Sequence, residues 1–124
     1  MAADWLRLCQ SPDLSIDERH VDVQFQDGRH QRVEVEEHDD VYLLTAFVAR
    51  QAIVSSLPDL PAQAWLRNRA TQLVGFRIDQ RRRLVGEAWV PKAGLTAEQF
   101  MLYLRMVAVE CDRFEYAVSG RDVE

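Results

Sequence analysis

Three histidines, His20, His30 and His38, fall within one stretch of this chain, and Glu37, Asp39 and Asp40 stand beside the last of them. Imidazole and carboxylate groups bind zinc and similar ions, and alternate strand positions would bring His20 near His30. A metal site needs three or four converging ligands, each oriented by a further partner. This spacing enforces neither, so the group reads as a solvated polar edge and no metal or other cofactor is expected. Arg81-Arg82-Arg83 could hold phosphate or an acidic peptide. No aromatic residues interleave with the three arginines, as single-strand nucleic acid binding favours, and charge of this kind at a hairpin tip discourages edge pairing. Ser55 and Ser56 lack a Gly-x-Ser-x-Gly setting, and position implies no histidine partner for Cys111. The five glycines form neither a Walker loop nor a dinucleotide pattern. Nothing here points to an enzyme.

Size and composition bound the alternatives. The chain has 124 residues, 48% apolar and 28% charged, which fits a single globular domain over 1–124. Its net charge of -5 argues against general affinity for nucleic acid or anionic membranes. The longest apolar run, Val41 to Ala49, is too short to span a bilayer. Arg7 interrupts Trp5, Leu6 and Leu8, and Ser11-Pro12 follows, so no secretory leader is read and a reduced cytoplasmic location is expected. Cys111 reads as a small buried hydrophobe.

The elements that would position these residues follow from periodicity. Ala2 to Gln10 reads as a short amphipathic helix with Trp5, Leu8 and Cys9 on one side, ended by Ser11-Pro12-Asp13. Val21, Val23 and Phe25 alternate with polar residues in a strand, and Asp27-Gly28 turns it into a second one, with Val33 and Val35 inward and Arg32, Glu34 and Glu36 outward. Val41 to Val48 is apolar on both faces, which predicts a strand either central in its sheet or covered on its second side by another subunit. The path of 49–57 stays open. Pro61 starts a helix over Ala62 to Val74, and Gly75 reads as its cap. A hairpin comes next, turning at Asp79 to Arg82, with Trp89 expected in the core. Thr96-Ala97-Glu98-Gln99 is a capping box, and the helix it opens buries Phe100, Tyr103, Leu104, Val107, Cys111, Phe114 and Val118 before Gly120 closes it. The fold class is α+β in the order α-β-β-β-α-β-β-α, an antiparallel twisted sheet flanked by helices.

Several local words resemble the class I type III secretion chaperones and the YbjN-like family. They are Trp65-Leu66-Arg67-Asn68, Val74-Gly75-Phe76-Arg77-Ile78-Asp79, the strand Leu84 to Val90 ending in Pro91, and Leu95-Thr96-Ala97-Glu98-Gln99-Phe100 followed by Ala108 and Asp112. The resemblance covers nearly the whole chain and rests on element order more than on any one motif. It implies a small, acidic, dimeric, non-enzymatic protein that holds an extended segment of a client through apolar patches and strand addition at sheet edges. It also implies a dimer interface on the middle helix and the strand after it; Trp65, Leu66, Arg69, Leu73, Tyr42 and Leu44 are the candidates, and Trp65 reads equally well as a core anchor. Trp5, Leu8, Val23 and Phe25 are the candidates for contact with a partner protein. The rival expectation is a small ligand-binding or enzymatic α+β domain with its site between the sheet and the last helix. The residues expected to point there are mostly Phe, Leu, Val and Met, which fill a core.

Overall fold

The computed structural model describes residues 8–71 and 73–123, with side chains to residue 119. The helix expected over Ala2 to Gln10, with Trp5, lies largely outside the described residues. Leu8 and Cys9, at its far end, pack against the core.

Among the described residues nine elements follow in the order β1 (Leu14–Asp17), β2 (His20–Gln24), β3 (His30–Glu37), β4 (Val41–Ala49), α1 (Gln51–Ser56), α2 (Leu60–Ala70), β5 (Gly75–Ile78), β6 (Leu84–Pro91) and α3 (Ala97–Val123). The strands form one antiparallel sheet ordered β1-β2-β3-β4-β6-β5. Strand β4, apolar along its length, is therefore central. Its burial nonetheless alternates: Tyr42, Leu44, Ala46 and Val48 are buried, while Val41, Leu43, Thr45 and Phe47 point the other way. The core side of the sheet is closed by α3, which crosses β3, β4 and β6. Phe100, Leu104, Val107, Cys111, Phe114 and Val118 face inward from it, and Tyr103 is half-buried.

Local chemistry explains most of the boundaries. Gly28 takes φ 90° in the β2–β3 turn, where Gly accepts a backbone that a Cβ would strain. Thr96 and Gln99 make the reciprocal capping bonds, at 3.1 and 3.2 Å, that start α3. Gly86, between the ring of Phe76 and the sulfur of Cys111, leaves room for α3 to lie close to the sheet.

Four expectations need correction. Leu14–Asp17 adds a strand that periodicity alone did not reveal, because four residues are too few to establish a period; a two-residue turn with Glu18 at φ 55° folds it onto β2. The middle helix ends at Ala70 with Thr71 as its cap, not at Gly75. Leu73 makes the reversal in the left-handed region (φ 70°), and Gly75 is already a strand residue opposite Glu87. Gly120 does not close the last helix, which continues to Val123. Trp89 is not in the core: its position in β6 pairs with Leu43 on the uncovered side of the sheet.

Candidate protein-binding surfaces

The side of the sheet away from α3 is the most distinctive surface. Across β4 and β6 the cross-strand neighbours there are Val41 with Pro91, Leu43 with Trp89, Thr45 with Glu87 and Phe47 with Val85. Six of these eight are apolar. Trp89 is 55% exposed and Phe47 40%, and no element of the described residues lies over them. Sequence reasoning noted the two-faced strand but assigned Trp89 to the core. The usable signal was that Trp89 stands out of phase with Ala88 and Val90, both buried.

Charge frames this strip. On the β3 side Glu34 pairs with Thr45 and Glu36 with Leu43. On the β5 side Arg77 holds Glu87 at 3.0 Å, and the Arg83 guanidinium lies 5.9 Å from the centre of the Phe47 ring. His38 bonds Glu36 at 2.7 Å with its ring centre 5.8 Å from that of Trp89.

A second exposed surface lies on α2 and the loop after it. Trp65 and Leu66 are 60% and 52% exposed, Leu73 is also exposed, and Arg69 sits over the Trp65 ring at 5.2 Å. These are four of the six residues named for a dimer interface. The other two, Tyr42 and Leu44, are 4% and 0% exposed beneath α3, because alternation turns them to the covered side, so neither presents surface to a second subunit.

The residues named for partner contact divide similarly. Trp5 is outside the described residues. Val23 is buried, Leu8 and Phe25 are half-buried, and Phe25 opens onto a shallow groove with Arg105 and Asp13 at the β1 end of the sheet. Arg105 grips the Asp13 carboxylate at 2.8 Å from two of its nitrogens, and Ser11 bonds the same carboxylate. The guanidinium bond holds the Asp13 carboxyl well below the usual carboxylate range.

The groups with chemical potential are dispersed. His20 is paired with Glu34 and His30 with Gln24, so the register keeps these two histidines apart. Among the described residues no three His, Cys, Asp or Glu side chains are grouped to hold a metal. Arg83 is held by the carboxylate of Asp79, which also accepts from the backbone N–H groups of Arg81 and Arg83 and so shapes the turn. Ser56 donates to the Ile53 carbonyl. Burial pushes the Cys9 thiol up to about 12 and raises that of Cys111 as well, which makes both poor nucleophiles. No helix of the described residues is long and apolar enough to cross a membrane.

Comparison with known proteins gives a consistent picture. Residues 4–119 match the model of the YbjN family, described as "Putative bacterial sensory transduction regulator". No curated protein matches the sequence. Among solved structures, YbjN from E. coli is similar at a TM-score of 0.58 and 17% identity, over 96% of this chain and 86% of that one. A chain of the heterodimeric ExoU–SpcU complex from the type III secretion system of Pseudomonas aeruginosa is similar at 0.54 and 16%, over 93% and 95%. A chain of the ExsC–ExsE complex is similar at 0.50 and 19%, over 92% and 86%. These likenesses establish the shared fold.

Proposed function

We propose that this chain, which belongs to the YbjN family, is a non-enzymatic protein-binding module that works as a homodimer and holds a segment of another protein. The observation that carries this reading is the uncovered apolar strip of Leu43, Phe47 and Trp89 on a sheet whose other side already holds a full core. The Thr45–Glu87 pair separates Phe47 from Leu43 and Trp89, and exposed apolar surface rimmed by charge marks interaction sites. Large aromatics are the side chains that anchor them. Two structures of similar fold, ExoU–SpcU and ExsC–ExsE, are complexes of two proteins, which supports a protein as the ligand. The space between sheet and α3 is packed with Phe100, Leu104 and Phe114, which disfavours a small-molecule site there.

In this reading the twin subunit meets the ridge of Trp65, Leu66, Arg69 and Leu73, and the client meets the open face of the sheet. Burying either strip contributes several kcal/mol of gross stabilisation at about 25 cal/mol per Å² of apolar area. Light scattering after size exclusion is expected to give twice the chain mass at micromolar concentration, and Trp65→Glu to halve it. A client captured by affinity, identified by mass spectrometry and repurified is expected to bind the wild-type chain and to lose at least tenfold in affinity to Leu43→Asp. A strict monomer would remove the dimer. Equal client affinity for Leu43→Asp would remove the open face.

A further inference from the structure

The two edges of the sheet are not equivalent. In an antiparallel ladder the backbone groups of alternate residues point toward the neighbouring strand and those of the others point away. At one edge the Asp79 N–H donates to the Arg83 carbonyl, which fixes the phase: Gly75, Arg77 and Asp79 face β6, and Phe76 and Ile78 face outward. The outward groups of Phe76 are both taken by one side chain. Its N–H donates to Asn68 Oδ1 at 2.6 Å, and Asn68 Nδ2 donates to its carbonyl at 3.0 Å. One residue pair back, the Thr71 hydroxyl lies 2.9 Å from the Val74 carbonyl and 3.1 Å from that of Arg67, with one proton to serve both.

The Asn68 amide therefore sits where the peptide group of an added strand would sit, with donor and acceptor in the same roles. Arg67, its neighbour in α2, lies over the Phe114 ring at 4.3 Å and ties the helix to α3, so the amide is presented from a fixed support. At the opposite edge the Gln24 N–H donates to the Asp13 carbonyl, so Leu14 and Ile16 face outward. The Leu14 N–H is taken by the Ser11 carbonyl. Among the described residues no group bonds the outward N–H or carbonyl of Ile16, and the same holds for Ile78 at the far end of β5, so the edges differ at Phe76.

We propose that Asn68 is an edge clasp that occupies the Phe76 position of β5, interrupts strand pairing there and favours β1 as the edge for an added partner strand. This deepens the protein-binding reading and rests on it for the partner, an extended polypeptide segment. The clasp itself stands on the two amide bonds. It also requires that subunit contact near α2 be made by side chains and not by pairing one β5 with another.

The test uses the full chain and needs no client. In Asn68→Ala, amide hydrogen exchange at Phe76 is expected to rise about tenfold, the factor one hydrogen bond of ordinary net strength provides. Sedimentation is expected to reveal concentration-dependent association beyond the wild-type state, since an exposed strand edge is a template for pairing. Adding Ile78→Pro, which removes an outward donor from β5, is expected to abolish that association, whereas adding Ile16→Pro leaves it. Asn68→Asp, which still accepts from the Phe76 N–H but cannot donate to its carbonyl, keeps the exchange slow and provides a folded reference if the alanine variant is unstable. Unchanged Phe76 exchange in Asn68→Ala, or association insensitive to Ile78→Pro, would overturn the clasp while leaving client binding at the open face untouched.

Discussion

Gly86 is the position where the close approach of α3 to the sheet is most sharply tested. A Cβ built there falls 2.3 Å from Cys111 Sγ and 2.9 and 3.2 Å from two carbons of the Phe76 ring. Ordinary van der Waals contact begins near 3.4 Å, so the sulfur must retreat by about 1 Å into packed surroundings. Cys111 is fully buried with its thiol on the Ala46 carbonyl at 3.8 Å, and Phe76 is held edge-on against Phe114 at 5.0 Å between centroids. Neither neighbour yields freely. Gly86→Ala should therefore destabilise by about 1–3 kcal/mol, the usual cost of an overpacked core. Removing the sulfur tests the cause. Cys111→Ala alone loses a small buried group and costs about 1 kcal/mol. In the double variant the new methyl occupies the space the sulfur left, so the two costs should fall short of additivity by about 1–2 kcal/mol. The residual is the ring of Phe76, which remains at 2.9 Å. Urea unfolding of the four proteins, followed by far-ultraviolet circular dichroism, gives the cycle directly. A Gly86→Ala protein as stable as wild type, or a strictly additive double variant, would refute the claim that glycine is needed here for helix approach.

Two further outcomes follow from the electrostatics. Because the Arg105 bond depresses the folded-state pKa of Asp13, its stabilisation is complete above the unfolded carboxyl value near 4 and is lost as pH falls below it. Arg105→Met should flatten the fall in urea midpoint below about pH 4; an unchanged slope would show that other carboxylates dominate. With Cys9 pushed up to about 12 and Cys111 raised by burial, neither thiol should react quickly with Ellman's reagent at pH 8 in the native protein, and both should react in guanidinium. Rapid labelling of the native chain would contradict the burial assigned to them.

How much of this was legible depended on whether the signal was local. The capping box of Thr96 and Gln99, the turn at Asp27-Gly28 and the stripe from Phe100 to Val118 are set by neighbours a few residues away, and each was readable from spacing. The end of α2 was not, because the reversal uses Leu73 in a left-handed conformation that a non-glycine residue seldom adopts, while the nearby Gly75 offered the conventional cap and turned out to be strand. Strand β1 was missed because four residues cannot establish a period, and its pairing depends on a turn with a positive φ at Glu18.

The candidate site was legible only in outline, for a physical reason. An apolar run on both faces of β4 tells that both sides avoid water, but not which side its own helix will cover. On the side that α3 does cover, with Tyr42 and Leu44, Gly86 leaves room for Cys111 to approach the sheet. With α3 there, Leu43, Phe47 and Trp89 must be the side left over. The same helix placement removes Tyr42 and Leu44 from any interface and supplies the uncovered residues in their place. The clasp on Phe76 is likewise invisible in spacing, since Asn68 and Phe76 lie eight residues apart on different elements. It becomes evident only when the phase of the ladder shows which backbone groups face outward. A sheet with one face filled, one face open and Phe76 clasped at one edge favours approach across Trp89 or along β1.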